Sequence, residues 1–139
     1  MLRYLALTPL LWLSTSMAET SPNLDKTLTQ RCLDTFEFIE KKDLTTFLAQ
    51  MPVTPSDFEK KRSMKVLERA HKRWFIKETI ISIEPVKVSY QAPSEIKKER
   101  YQAQKQAKVD LLIIGEKYRS TMNCKFIQTP KGWFLSSLP

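Results

Sequence analysis

The 139-residue chain holds two glycines, one histidine and two cysteines. Each scarcity removes a class of chemistry. A phosphate-cradling loop needs several glycines so that backbone N–H groups can close on the ligand; Gly115 and Gly132 stand far apart, and both are needed for turns. A zinc site wants four Cys, His or carboxylate ligands at suitable spacing, and Cys32, Cys124 and His71 offer no such spacing. The lone histidine also argues against a nucleophilic triad. His71 lies beside Lys72 and Arg73, whose charges disfavour its protonated form, and no carboxylate is placed to orient it as a general base. No metal, cofactor or catalytic residue is expected.

Long apolar runs are scarce as well. The best one, residues 4–13, is shorter than the roughly 20 residues a spanning helix needs. With Arg3 before it and Ser16-Met17-Ala18 after it, the stretch has the layout of a secretory signal. We read residues 1–18 as a cleavable signal peptide and residues 19–139 as one domain, exported to the periplasm or secreted. No cysteine follows the expected cut, which disfavours a lipid anchor. Loss of Arg3 takes the net charge from +8 to +7. A basic balance favours anionic partners in general without choosing among them. An even cysteine pair in an exported chain invites a disulfide, here Cys32–Cys124.

Periodicity supplies the rest. Leu24, Leu28, Cys32, Leu33, Phe36 and Ile39 recur at helical spacing over residues 24–42. Asp43 reads as the cap of a short second helix with Leu44, Phe47, Leu48 and Met51 on its apolar side. Thr54 and Pro55 read as the cap and first position of a third helix reaching about residue 76, with Phe58, Val66, Leu67, Ala70 and Trp74 buried. Residues 78–90 are rich in β-branched side chains and predict a strand bent at Pro85. Residues 92–107 read as an exposed loop running into a strand, with a short helix or a hairpin tip as alternatives. A two-residue turn at Gly115-Glu116 pairs Ile113 with Tyr118, Leu111 with Ser120 and Val109 with Met122. Those residues, Cys124 and Phe126 share one face. Pro130-Lys131-Gly132 turns into a last strand carrying Trp133 and Leu135. Cys32 and Cys124 thus lie on the apolar faces of a helix and a strand, each pointing where the other belongs if helix packs on sheet.

Helices first, then a meander closing on Gly132-Trp133-Phe134-Leu135: this order resembles the NTF2-like, or cystatin-like, α+β superfamily, and small exported bacterial members in particular. The resemblance covers Ala107–Leu135 in motif and the helical half in layout only. It implies N-terminal helices on a curved antiparallel sheet with a cone-shaped pocket between. It does not choose a function, since members include isomerases, hydrolases, secretion components and binding proteins.

Two surfaces stand out. Lys61, Lys65, Arg69 and Lys72 fall on one helix face, flanked by Lys60, Arg62 and Arg73. They form a candidate site for an anionic partner, against the alternative of a solvated helix back. Leu112, Ile114, Ile127 and Phe134 share the other side of the hairpin, a candidate face for association or homodimerisation. The first functional reading is a non-catalytic binding or accessory protein of the cell envelope, its partner an envelope protein or an anionic ligand. The second is a small enzyme with an isomerase- or hydrolase-type pocket using Glu84, Tyr90 or Tyr118. The third is an anion-binding module for nucleic acid or acidic lipid. Asp110 alternates with Val109 and Leu111 and is expected to point outward.

Overall fold

The structure, a computed structural model, describes residues 22–139; the expected signal segment lies outside them. Helices α1 (Pro22–Lys41), α2 (Leu44–Ala49) and α3 (Asp57–His71) come first, and a π-helical turn, Lys72–Ile76, extends α3. Strand β1 (Ile80–Gln91), helix α4 (Glu95–Tyr101) and strands β2 (Lys105–Gly115), β3 (Arg119–Thr129) and β4 (Gly132–Ser137) follow. The strands form an open antiparallel sheet in chain order, and α1, α2 and α3 pack on one face of it, an α+β fold.

The core follows from two periodicities meeting. Along α1 the buried positions include Leu28, Cys32, Thr35, Phe36 and Ile39, one helical stripe. Along β2 and β3 they include Ala107, Val109, Leu111, Ile113, Cys124 and Phe126, every second residue. Full burial of each large side chain contributes about 1.5–3 kcal/mol. Cys32 and Cys124 are bonded across this interface with their Cα atoms 5.7 Å apart. The same face carries Trp74, Phe36 and Leu67, so side chains occupy the space between helices and sheet.

Several expectations change in detail. Asp43 caps α2 as expected, accepting from the Thr46 amide. The cap of α3 is Ser56 rather than Thr54. Ser56 and Glu59 bond reciprocally as a capping box, an arrangement that needs the acid three residues after the cap, so Pro55 falls outside the helix. Phe58 is 74% exposed while Leu67 is fully buried. Nine residues at 3.6 per turn is two and a half turns, which puts the two on opposite sides of one helix. Residues 95–101 form α4 rather than a loop, capped by Ser94 and closed by Gln102 at φ 55°. No α4 side chain is buried, which is why the segment carries no apolar stripe.

The β2–β3 register is two residues from the expected one: Ile113 faces Ser120, Leu111 faces Met122 and Val109 faces Cys124. A shift of two keeps every strand residue on its face. Tyr118 alone changes environment; it leaves the strand and is 72% exposed. The cause is Glu78. Its carboxylate accepts the amides of Thr79 and Lys117 at 3.0 Å and of Tyr118 at 2.9 Å, drawing residues 115–118 into a wider loop. A side chain on Gly115 would collide with that carboxyl, so glycine is required there for closeness. Gly132, at φ 123°, is required for its backbone angle instead.

Burial pushes the Glu78 carboxyl up, but the three amides and the Lys117 charge outweigh it and hold it below the ordinary glutamate range. A depressed folded-state pKa stabilises the loop at neutral pH and ceases to do so as pH falls through that value. The Lys117 and Tyr118 amide resonances should therefore titrate together, with a midpoint below the usual glutamate range, and should not titrate in Glu78→Gln. A midpoint above that range would contradict the assignment.

Both sheet edges are protected. On β1 the register shifts between Pro85 and Lys87, leaving Val86 exposed at a bulge. On β4 the Leu135 amide donates to Gln50 O at 2.8 Å, and Arg31 Nη1 donates to Trp133 O at 2.8 Å. The same guanidinium donates to the Gln50 side chain and lies 5.2 Å from the Phe126 ring centre. The closing strand is thus tied to α1 and to the end of α2.

Candidate anion-binding cleft

The outer surface of α3 carries charge because most of its positions cannot reach the core. Ser63, Leu67 and, beyond the helix end, Trp74 are its buried residues. At 100° per residue, Lys61, Lys72, Lys65, Arg69, Arg62 and Arg73 follow one another round roughly 120° of the circumference. All six are exposed, and none is in an ion pair among the described residues. The four expected anion-binding residues therefore share a face, and that face continues into something the sequence did not reveal.

Next to it lies a cleft of about 780 Å³ at the β4 edge of the sheet. One wall is α3, through Arg62, Val66, Arg69 and Arg73; the other is α4, through Ile96, Lys97 and Arg100. Apolar side chains form its base, among them Phe47, Met51, Ile127, Leu135 and Leu138. Five cationic side chains line the cleft against one carboxylate side chain, Glu59, which Arg100 approaches at 3.5 Å, and Pro139 lines it as well. Arg62, Arg69 and Arg73 have no ion-pair partner among the described residues; Arg62 lies about two turns before Arg69 and Arg73 about one turn after it, all on the wall above an apolar base. Lys97 donates to the Gln106 side chain at 3.0 Å. Burial, and then the nearby Lys125, pull its ammonium below its ordinary pKa. At the mouth, Phe58 on α3 and Ile96 on α4 are 74% and 73% exposed. These two side chains, with Val53, extend the apolar surface of the cleft outward to its rim.

The remaining candidates are scattered. Ile127, expected on an outer association face, is fully buried and lines the base of the cleft. Helix α4, one of the alternatives for residues 92–107, and Leu138 and Pro139 line the same cleft as Ile127. Leu112, Ile114 and Phe134 are half-buried on that face. Glu84 is exposed on β1 opposite Leu112, away from the helical layer. Tyr90 is engaged rather than free: its hydroxyl donates to Asp25 in a short hydrogen bond, and its ring meets Trp133 edge-on. Burial first, then the bond to Asp25 and its charge, push that phenol well above its ordinary pKa. His71 Nδ1 lies 3.1 Å from Ile39 O, a geometry that requires the hydrogen on Nδ1 and joins the ends of α3 and α1. Asp110 was expected in solvent but is 7% exposed. It sits on a central strand between Lys87 and Asn123, with Lys108 Nζ at 3.9 Å.

No cluster of metal-binding side chains occurs among the described residues, and no helix among them is long and apolar enough to cross a membrane. No protein-family model, curated protein or solved structure matches the chain.

Sequence periodicity could have indicated the cleft in one respect. Arg62, Val66, Arg69 and Arg73 are one helical row, and Phe58 lies close to that row rather than on the buried one. The opposing wall had no such signal, because α4 buries nothing.

Proposed function

We propose that this is an exported, non-catalytic binding protein of the cell envelope that takes an anionic partner on the surface formed by α3 and the cleft beside it. One observation carries the reading: six exposed cations on a continuous arc of α3 lack carboxylate partners and border an apolar cleft. A helix back positive by composition alone has no reason to adjoin such a cleft. Residues 1–18 as a signal peptide and the Cys32–Cys124 bridge support export, since disulfides persist in oxidising compartments. An NTF2-like relationship is part of the proposal, supported by the order of helices before meander and by the closing Gly132–Leu135 strand.

The test uses phosphatidylglycerol vesicles against phosphatidylcholine vesicles in co-sedimentation. Each basic residue near an anionic surface contributes about 1 kcal/mol, so reversing Lys61, Lys65 and Lys72 to glutamate should weaken binding about a hundredfold or more. All three lie outside the cleft. Binding to phosphatidylglycerol should also fall steeply with salt. Equal retention of the triple variant and the parent would reject the reading.

A further inference from the structure

We infer that the cleft between α3 and α4 holds one long-chain fatty acid, its chain on the apolar base and its carboxylate at the rim that Arg62, Arg69 and Arg73 line. This rests on the reading above and specifies its ligand. Volume, charge and edge chemistry together select this occupant. The volume, about 780 Å³, lies within the range of small-molecule sites. The base offers an incoming molecule little polar guidance: the Ser63 hydroxyl already faces the Met51 sulfur at 4.0 Å, the Ser136 and Ser137 hydroxyls donate to Lys125 O and Leu138 O, and Tyr101 is the remaining hydroxyl among the lining residues. A featureless apolar base suits a methylene chain, which needs area rather than partners. The rim supplies what the head requires. Guanidinium groups hold carboxylates through paired, charge-assisted hydrogen bonds, and none of these three is in an ion pair among the described residues. Phe58 and Ile96 would close over the chain near the mouth.

An extended acidic peptide is the main rival. It would bind this edge by adding a strand to β4, but the Leu135 amide and the Trp133 carbonyl are already bonded to Gln50 and Arg31. A nucleic acid would need aromatic platforms along the basic arc for its bases, and the arc carries only Lys and Arg beyond Phe58.

The oxidised protein is titrated with 11-(dansylamino)undecanoic acid, whose emission shifts to the blue in an apolar site. A blue shift reversed by palmitate at one equivalent per chain is expected, with methyl palmitate at least tenfold weaker as a competitor. Arg62→Glu/Arg73→Glu, which changes exposed residues only, should weaken palmitate at least tenfold. Ala70→Trp, placed to fill the α3 wall, should abolish the shift while the thermal transition persists. An unshifted probe, a shift that palmitate does not reverse, or full binding by the double variant would overturn the inference, as would displacement by an acidic peptide in place of palmitate. The vesicle experiment separates the two levels. If phosphatidylglycerol binding depends on Lys61, Lys65 and Lys72 but palmitate does not bind, only the acyl ligand falls; if both fail, the binding surface falls too.

Discussion

Replacing Cys32 and Cys124 together by alanine is expected to lower unfolding stability by about 4–5 kcal/mol, the chain-entropy value for so long a loop. The bridge spans 92 residues and joins the first helix to the third strand. Its main action is therefore on the unfolded chain, which it keeps from separating its two ends. Urea unfolding gives two checks. The midpoint should fall steeply, and the denaturant slope should rise, because an uncrosslinked chain exposes more surface on unfolding. Both sulfurs are fully buried, so alanine is preferred to serine, which would leave a hydroxyl in the core. A loss below about 1 kcal/mol with an unchanged slope would mean that the packing of α1 on the sheet already restrains the ends.

Phe126→Ala should cost a comparable amount, about 3–5 kcal/mol. Phe126 is fully buried two residues from Cys124, and its ring lies under the Arg31 guanidinium. Truncation removes the ring's own burial, leaves a cavity between α1 and the sheet, and takes away the cation–π contact, about 0.5–2 kcal/mol by itself. That contact also holds Arg31 in place for its bonds to Trp133 O and Gln50. Phe126→Leu should restore most of the packing without the cation–π contact. The difference between the two variants, measured in Arg31 and Arg31→Met backgrounds, isolates it. If alanine and leucine behave alike, the site collapses on itself and the core is more plastic than its packing implies. The bridge and Phe126 are neighbours on one face, so their effects should not add.

The sulfur pair was the most legible feature in the sequence, because two unrelated periods had to agree for Cys32 and Cys124 to meet. Asp43 as a cap, the bend at Pro85 and the inward alternation from Val109 to Ile113 were legible for the same reason: each is local and repeated. What could not be read depended on single long-range partners. Nothing near Gly115 announces that Glu78, almost forty residues earlier, takes the loop amides and moves the turn by two. Phe58 departs from the inward stripe because its angle relative to Leu67 puts it on the opposite side of the helix. At the cleft, the α3 wall was visible as a basic row, while the α4 wall was hidden by a composition polar on every side. The base was divided between Leu135, assigned to the core, and Ile127, assigned to the outer face; only the tertiary arrangement brings them together.

Helix α4 has no buried side chain, and its ion pair to α3 is the exposed contact between Arg100 and Glu59. The Cys32–Cys124 bridge and the aromatic interior draw on α1–α3 and the strands, and α4 contributes no residue to them. Half of the cleft is therefore built from parts on which folding does not depend. Residues 95–101 can change length, charge or bulk at small thermodynamic expense, and with them the shape of the accepted guest, while the packing around Cys32 stays as it is. A scaffold so divided can acquire new binding preferences by altering one short segment.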